Sequence, residues 1–402
     1  IKGATYKYYA YSYNSSSTMP DATDRTTPTI STGENEDFLY ASGTLNTATT
    51  GNNTLGLTFA RKTIRLSVEF DARGMFTDEI QALSMTVTKG TEPVLQKAVI
   101  DIKQGRLVAN STEYYNPTFT LADFVNVEEG FNDRKVVFLY TVVAGVETFD
   151  ANLQSLRIKL HDNTALSHDF PAANSKFTFV IPTNNRDLGY KYKAKVDLIE
   201  SAVVVNAAGV ANTRWARGNL HYLGASARSN YRFRTQNHGK FTSWDHDYFR
   251  FMDSKPGGIT LPLTGDLLNS TDGIDPCTLA YPQNTWKTPT TAQWQALAAV
   301  TAGRTISTGN HVEYAGVDAN AGSPYPSKNL RIGNNGWERK GATGLLYYDE
   351  PEEGFYWGFT SDDRMGFHIK DSNIEVRSFA FWGNILGLPN RNHFASIRCV
   401  RR

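Results

Sequence analysis

The stretch DPCTLAYPQNTWKTPTTAQW, residues Asp275 to Trp294, holds one of the two cysteines, two of the seven tryptophans and three prolines. Within it Thr290 is followed three residues later by Gln293, which is the spacing of a capping box at the start of a helix. The apolar residues that follow fall on one helical face, so the sequence predicts a short amphipathic helix here. These apolar residues are Trp294, Leu297 and Ala298.

The chain around this helix differs from its first half. All seven tryptophans, both cysteines and six of the eight histidines come after residue 213. The stretch SAVVVNAAGVANT (Ser201–Thr213) turns small and polar, as a connector does. Long connections rich in Gly and Asn run beside short strands, as in residues 315–344. We therefore expect an α+β domain at 209–402, and we expect residues 211–402 to fold alone.

Before the connector, apolar and polar residues alternate with period two. In TIRLSVEF (Thr63–Phe70) the apolar residues alternate with Arg65, Ser67 and Glu69, which predicts an antiparallel strand with one buried and one wet face. The same pattern recurs at residues 5–14, 155–160 and 190–198, between turn residues. One-sided strands need a second sheet to cover them. The first half is predicted to be two mainly antiparallel β-sandwiches, residues 1–90 and 91–208.

Charge and hydropathy exclude several classes of protein. Lys and Arg number 41 against 40 Asp and Glu, a net charge of +1, and no basic run is present, so we expect no nucleic-acid partner. No apolar stretch reaches the length of about 18 residues that spans a bilayer. The opening IKGATYKYYAYSYN lacks the plan of a signal peptide, which is consistent with a mature, processed form or a cytosolic one.

The two cysteines lie at the two ends of the C-terminal domain. Cys277 precedes the predicted helix and Cys399 lies in the last strand, SIRCV. We expect a disulfide between them, and the alternative is two buried free thiols. A disulfide would indicate an exported protein.

The search for catalytic and metal-binding motifs favours a binding protein. The sequence has no GxSxG, HExxH, CxxC or phosphate-binding glycine loop, so we predict no enzyme, no cofactor and no metal. Asp362 and Asp363 are adjacent and would point to opposite faces of a strand, which suits a solvated turn better than a glycosidase pair. The cluster in WDHDYF, comprising Asp245, His246 and Asp247, fits surface residues better than metal ligands because it has no spaced partner.

Five motifs give the C-terminal domain a family resemblance. WARGNLHY, YRFRTQ, the WKTPTTAQW stretch after DPC, GFYWGFTSDD and FASIRCV occur in the order seen in FISUMP domains of bacterial surface proteins, which resemble C-type lectins. The usual forms are close to WRLPTxxEW and YYWSST. FWGNILGLPNRN, with Trp382, Asn384, Asn390 and Asn392, is faintly similar to the lectin calcium motifs but lacks their Glu-Pro-Asn and Trp-Asn-Asp forms, which puts calcium-dependent sugar binding in doubt.

The first half resembles the fimbrillins of type V pili. GATYKYYAYSYN, DFLYASGTL, LGLTFARKTIRLSVEF and the Gly-Tyr-x-Tyr element at residues 189–192 carry the likeness. The resemblance implies export as a lipoprotein, removal of the first strand and of the lipid anchor by a protease, and assembly into a fimbrium on the cell surface. Other pilus subunits would be partners, because the next subunit fills the vacated groove with a donor strand.

The order of the domains implies a position in the fibre. The predicted second sandwich is followed by a whole domain ending in CVRR, so we expect no free donor tail and hence a tip adhesin that accepts a strand and does not donate one. The N-terminal tyrosine run should border the groove, and Tyr9, Tyr11 and Tyr13 are its candidates. The alternatives are a monomeric surface glycan-binding lipoprotein and, on distant fold similarity, an oxidase of the formylglycine-generating type, which would need active cysteines.

The tryptophans divide into predicted core and predicted surface. Trp215, Trp294 and Trp357 stand inside the motifs of the domain and are expected in the core. Trp337 lies in the polar stretch GNNGWERK and Trp382 lies beside asparagines, where an exposed ring could stack on a glycan or anchor a host or bacterial surface protein.

Overall fold

The structure of the chain is a computed structural model, and it is mainly β-sheet with a single α-helix among the residues it describes. The described residues are 2–16, 18–22, 24–142, 146–159, 167–170, 175–182, 187–224, 230–234, 247–256, 272–307, 311–317, 329–335, 337–341, 344–348, 353–359, 365–370, 373–378 and 393–402.

The chain divides into two compact units. The first comprises Ile1–Asp71, Glu79–Arg157 and Asp169–Asp197. The second comprises Ala72–Asp78, Ile158–His168 and Leu198–Arg402. Each unit is described separately below.

The described strands up to Ile199 are short, apart from three of ten to twelve residues. A 3-10 turn at Leu121–Asp123 lies between two of them. The strands are β1 (Thr5–Ser12), β2 (Thr29–Ser31), β3 (Leu39–Asn46), β4 (Ala60–Arg61), β5 (Ile64–Gly74), β6 (Ile80–Lys89), β7 (Glu92–Pro93), β8 (Leu95–Lys97), β9 (Val99–Asp101), β10 (Arg106–Leu107), β11 (Glu113–Tyr115), β12 (Phe119–Thr120), β13 (Val125–Asn126), β14 (Arg134–Thr141), β15 (Thr148–Lys159), β16 (Ser167–Phe170), β17 (Lys176–Val180) and β18 (Lys191–Ile199).

These strands form several sheets whose registered pairs are antiparallel. The largest two have the orders β12-β6-β15-β16, with β7 on β6 and β17 on β15, and β13-β14-β5-β18. Smaller sheets have the orders β1-β3-β4, β10-β9-β2 and β11-β8. The β-rich, multi-sheet character predicted for this half is therefore present.

Strand β5 differs from its prediction in one respect. The apolar side chains of the alternating run are buried, as predicted, but Ser67 and Glu69 on the other face are also buried, with 6% and 0% exposed. The prediction of a wet face is wrong because long side chains of the neighbouring strands β14 and β18 lie over Glu69 on that face. The buried carboxylate of Glu69 is paired with Arg134, at 2.7 Å, and with Lys193.

The described strands beyond Ile199 surround one helix, α1 (Thr291–Ala298), and a 3-10 turn at Pro276–Leu279. The strands are β19 (Val203–Val205), β20 (Arg214–Trp215), β21 (Leu220–Tyr222), β22 (Tyr231–Phe233), β23 (Trp286–Lys287), β24 (Arg304–Ser307), β25 (His311–Tyr314), β26 (Gly316–Val317), β27 (Leu330–Gly333), β28 (Trp337–Gly341), β29 (Gly344–Tyr348), β30 (Glu353–Gly358), β31 (Met365–Lys370), β32 (Asn373–Ser378), β33 (His393–Phe394) and β34 (Val400–Arg401).

The second unit is organised around a five-stranded sheet with the order β23-β34-β20-β19-β26. Three-stranded sheets have the orders β24-β25-β27, β29-β28-β33 and β30-β31-β32, and β21 pairs with β22. The helix begins as the sequence predicts. Thr290 is its N-cap and exchanges hydrogen bonds with Gln293 in a capping box.

Aromatic side chains fill the core of the second unit. Trp215, Trp294 and Trp357 are at most 1% exposed, which confirms their prediction as core residues. The ring of Trp294 lies 4.7 Å from that of Trp215 and 4.6 Å from that of Phe367, and its Nε1 donates to the carbonyl of Trp357 at 2.9 Å.

The second unit takes in residues from outside its predicted range of 209–402. Strand β19 precedes that range and lies inside the five-stranded sheet. Phe76 is 1% exposed in the same core as Cys277, and its ring lies 5.2 Å from that of Phe233. Residues 211–402 therefore lack a strand and a core aromatic ring. The division into 1–90, 91–208 and 209–402 stays a prediction.

Candidate functional site

The edge of strand β1 is the first candidate site. Among the described residues β1 pairs with β3 alone, from Thr5 opposite Asn46 to Ser12 opposite Leu39. An edge strand of this kind presents backbone N–H and C=O groups that another strand can use. In the first unit, β1 is thus a position where a strand can add.

The three tyrosines predicted to border a groove lie on the core side of β1. Tyr13 is buried, and Tyr9 and Tyr11 are partly buried against the same cluster, which contains Phe38. The ring of Phe38 lies 6.4 Å from that of Tyr11 and 5.9 Å from that of Tyr13. The hydroxyl of Tyr13 donates to the carbonyl of Ser31 at 2.8 Å, and that of Tyr11 donates to the carbonyl of Pro20 at 3.4 Å. Their role as groove residues stays a prediction.

The end of β1 is fixed by a polar contact. Asn14 follows the strand with a φ of 54°, in the left-handed region that Asn tolerates. Its side-chain amide donates to Asp37 at 3.0 Å, and Asp37 also accepts from Arg61 Nε at 2.9 Å. Residues 14, 37 and 61 thereby hold the ends of β1, β3 and β4 together.

The disulfide of the second unit is the second candidate feature. Cys277 and Cys399 are bonded, with 2.00 Å between the sulfurs, 5.8 Å between the Cα atoms, and neither residue exposed. The disulfide expected from the sequence is therefore present. Because no free cysteine remains, a reaction that needs a free thiol has no cysteine to supply it.

Asp275 organises the segment around this disulfide. Its carboxylate accepts from the backbone N–H of Cys277 at 3.0 Å and from that of Thr288 at 2.9 Å. The Thr288 hydroxyl donates to the same carboxylate at 2.8 Å. Asp275 therefore joins the 3-10 turn to β23, a role that the sequence analysis missed. Its position directly before Pro276, as an N-cap, was the available signal.

A buried polar network lies under the terminal strand. Arg398 is fully buried, and its guanidinium donates to Asn219 Oδ1 at 2.8 Å and to the carbonyl of Arg331 at 2.8 Å. Further bonds run to the carbonyls of Ala216 and Arg217. Burial lowers the pKa of Arg398 to about 10, so its guanidinium stays charged at neutral pH. The network connects the WARGNLHY segment to the chain terminus.

The proposed ligand-binding residues are scarcely covered by the structure. Trp337 begins strand β28, whose backbone pairs with β29 and β33. The other candidates, together with the carboxylates and the histidine considered for catalysis or metal binding, lie outside the described residues. They are Trp382, Asn384, Asn390, Asn392, Asp245, His246, Asp362 and Asp363.

Asp247 is described, and its contacts are structural. It is fully buried, and it pairs with Arg234 at 2.9 Å and with His221 Nδ1 at 2.8 Å. Within the described ranges no three His, Cys, Asp or Glu residues come together as a metal site would require. Those same ranges contain no helix that is both long and apolar enough to span a bilayer.

Comparison with known proteins gives a family for the first half of the chain. The sequence model described as fimbrillin-like matches residues 2–213. Among solved structures, the chain is similar to a candidate cell adhesion protein from Bacteroides uniformis, with 13% identity, 48% of this chain and 68% of that chain covered, and a TM-score of 0.25. No curated protein matches the chain. Since the family match covers more than half of the 402 residues, this chain belongs to the fimbrillin-like family, and the matched part is the strand-rich half that begins with the edge strand described above.

Proposed function

We propose that the chain is the tip adhesin of a cell-surface pilus. It accepts a donor strand from the neighbouring subunit and presents its disulfide-linked unit, as a lectin-like domain, to a glycan or a surface protein. The observation that carries the proposal is the one-sided pairing of β1 in a chain of the fimbrillin-like family. Export as a lipoprotein, with later loss of the anchor at the outer membrane, belongs to the same proposal.

Strand addition at β1 is supported by its backbone and by its pattern. Residues 5–12 are extended, and one edge has no partner among the described residues. The face that carries Tyr9 and Tyr11 packs on apolar residues, so an added strand could extend the apolar cluster with alternate side chains. We expect this contact to be mostly hydrophobic and main-chain, and nearly insensitive to salt.

The contacts of residues 394–402 decide whether this segment could serve as a donor strand. Strand β34 pairs with β20 on one side and with β23 on the other. Cys399, directly before it, is held by the disulfide, and Arg398 is held by the buried network. Donating these residues to another subunit would break the core of the second unit. This segment is therefore built into its own unit and is unsuited to be a donor strand.

The binding role of the second unit rests on the ordered motifs of its sequence and on one exposed aromatic ring, that of Phe359, which stacks on the partly buried Phe251. Phe359 is 40% exposed, and its ring lies 6.1 Å from that of Phe251 at an interplanar angle of 20°. Its backbone bonds to Pro289 and Thr291 at the start of α1. A stacked aromatic pair at a surface suits a sugar face or a protein anchor. We add Phe359 to Trp337 and Trp382 as ligand-contact residues, with Asn384, Asn390 and Asn392 as polar contacts.

Strand addition is tested with a synthetic peptide copied from the C-terminal donor segment of the matching stalk subunit. The peptide should bind the folded chain and not the unfolded chain. The melting temperature of the chain should therefore rise with the concentration of the peptide, by mass action. A peptide with charges at the inward positions is the control and should leave the melting temperature unchanged. If neither peptide stabilises the chain, the tip-acceptor proposal fails, and a monomeric surface glycan-binding protein becomes the better account.

Ligand binding is tested by screening the full chain against glycans and matrix proteins. The variants Trp337→Ala, Trp382→Ala and Phe359→Ala should each weaken binding to a ligand found in the screen. Phe131→Ala, a substitution at a residue of the first unit that is 39% exposed, is the matched control. Binding that survives all three substitutions would remove these residues from the proposed site.

A further inference from the structure

One apolar stretch of the first unit is exposed throughout. Residues 51–60 are all exposed, and Leu55, Leu57 and Phe59 expose 42%, 42% and 39% of their surfaces. These apolar residues alternate with Gly56 and Thr58, which is the pattern of a half-buried strand. In the described part of the chain, however, residues 54–59 belong to no strand and to no sheet. This segment therefore has the residue alternation of a half-buried strand, but it is exposed and unpaired in the described sheets.

The register of the neighbouring strands shows where this segment would fit. In β4, Arg61 lies opposite Leu39 and Ala60 lies opposite Tyr40, and the pairing stops there. Each step back along β4 meets the next residue of β3, so continued pairing would place Phe59 opposite Ala41 and Leu55 opposite Leu45. The described edge of β3 from Ala41 to Asn46 has no partner on that side. An edge of matching length is thus open.

The side chains would agree with this register on both faces of the sheet. Residues directly opposite each other lie on the same face, and the pairing of β1 with β3 extends each row by one residue. Each row that contains an exposed apolar residue would hold only apolar residues, Tyr or Gly. The rows between them would be mainly polar, except that Tyr9, which packs on the Phe38 cluster, lies in one of them. The apolar rows are Tyr6-Leu45-Leu55, Tyr8-Gly43-Leu57 and Ala10-Ala41-Phe59, and the rows between are Thr5-Asn46-Thr54, Lys7-Thr44-Gly56 and Tyr9-Ser42-Thr58.

This agreement depends on register. A shift by one residue would move Leu55, Leu57 and Phe59 to the face that carries the exposed Ser42 and Thr44. The connection from β3 also contains Gly51, with a φ of +79° and no atom within 4 Å of an added Cβ, so a hinge is available. The alternation of apolar and polar residues in Thr54–Phe59 suits a strand of the β1-β3-β4 sheet. A change of backbone conformation at Gly51 would bring this segment to the edge of β3.

We propose that the edge of β3 from Ala41 to Asn46 is a strand-binding site, and that its own strand is the segment Thr54–Phe59 of the same chain. Pairing would satisfy backbone groups along the edge and cover three exposed apolar side chains. When the segment is released, as in the structure, the edge is open to a strand from another subunit. This last clause rests on the proposed function, whereas the site itself does not.

A cysteine pair tests the register. Opposite residues of an antiparallel pair have Cα atoms about 4.5–5.5 Å apart, which is within reach of a disulfide. The double variant Leu45→Cys with Leu55→Cys should form a disulfide under mild oxidation. The control, Leu45→Cys with Thr54→Cys, puts the second thiol on the opposite face and should form it at least about tenfold more slowly. Equal rates in the two variants, or no bond in either, would overturn the proposal.

Hydrogen exchange tests the pairing without new thiols. Leu57→Glu puts a charge into an apolar row, so amide exchange at Ala41–Asn46 should accelerate, by up to about fivefold if the rows contribute as cross-strand pairs usually do. Thr54→Glu, in the polar row of Thr5 and Asn46, should leave exchange close to that of the unchanged chain. If both variants behave alike, the apolar rows do not form, and the proposal fails.

The two proposals fail in different ways. If the Leu45–Leu55 crosslink forms while no stalk peptide raises the melting temperature, the binding site on β3 stands and the tip-acceptor function fails. If a stalk peptide stabilises the chain while the crosslink does not form, strand addition stands and the site for the chain's own segment fails. If both succeed, the crosslinked chain should show whether the peptide uses the β3 edge or the β1 edge, because closing the first leaves the second open.

Discussion

The guanidinium of Arg398 donates to the side-chain oxygen of Asn219 at 2.8 Å, with both residues completely buried. Further hydrogen bonds of Arg398 go to the backbone carbonyls of residues 216, 217 and 331. A buried charge held mainly by neutral oxygens is sensitive to the loss of any one of them, since no water replaces it.

Asn219→Ala should therefore destabilise the second unit by roughly 1.5–3 kcal/mol, the usual contribution of a hydrogen bond to a charged group. Urea denaturation with a tryptophan fluorescence readout measures it, because every tryptophan of the chain comes after residue 213. Gln283→Ala, at an exposed position in the same unit, is the control. An unchanged midpoint for Asn219→Ala would show that Arg398 does not need this partner.

Removing the disulfide should lower the free energy of unfolding by more than Asn219→Ala does. The bond closes a loop with a sequence separation of 122, which corresponds to roughly 4–5 kcal/mol on the chain-entropy account. Cys277→Ala with Cys399→Ala, compared with the unchanged chain under oxidising conditions, should lower the free energy of unfolding by that order. A loss below about 1 kcal/mol would mean that the core around the two residues suffices without the bond.

Phe76 should affect the second unit although it lies in the fimbrillin-like half of the sequence. Phe76→Ala empties a buried aromatic site and should cost roughly 3–5 kcal/mol. Because its core cluster contains Cys277 and Cys399, reduction of the disulfide by dithiothreitol should also become faster. Phe131→Ala, at a position 39% exposed, should leave the reduction rate unchanged. Equal rates in the two variants would contradict the assignment of Ala72–Asp78 to the second unit.

Acid should weaken the first unit through Glu69. Burial alone would raise the pKa of Glu69, but hydrogen bonds from Lys193 and Arg134 outweigh it and hold the pKa below its usual value. A lowered pKa in the folded state gives stability that is present above the unfolded value of about 4.3 and is lost as the pH falls through the folded value.

The stability of the first unit should thus fall as the pH drops below about 4.3, and Glu69→Gln should flatten that part of the curve. Urea titrations between pH 7 and pH 3, followed by far-UV circular dichroism, measure it. Glu129→Gln, at an exposed position, should keep the acid dependence of the unchanged chain. A Glu69→Gln variant with that same dependence would assign the acid sensitivity to other carboxylates.

The local elements of the fold were predictable because their signals lie within a few residues. The capping box of Thr290 and Gln293 sets the start of α1 through contacts three residues apart. The alternation in residues 190–198 survives in β18, where Ala194, Val196 and Leu198 are buried and the residues between them, Lys195 and Asp197, are exposed. Neither the start of the helix nor the alternation along the strand depends on which distant strand is its neighbour in the sheet.

Burial of polar groups was not predictable from the same patterns. Glu69 occupies a polar position in a period-two run, which normally faces water. Only the placement of β14 and β18 on either side of β5 encloses it, and those strands begin more than sixty residues further along the chain. The sequence analysis also passed over Leu55, Leu57 and Phe59, whose alternation was visible but whose exposure was not.

The sequence by itself determined the β-rich character, the helix after Pro289, the tryptophan core and the pairing of Cys277 with Cys399. Each of these follows from residue type and short spacing, or from there being only two cysteines to pair. The tertiary structure alone decided that β1 is an edge strand among the described residues, that Arg398 is buried with neutral oxygens as hydrogen-bond acceptors, and that residues 72–78 belong to the second unit. The reason is physical: an edge, a desolvated charge and a shared core are properties of which segments meet in space, and segments far apart in the sequence carry no local signal of that meeting.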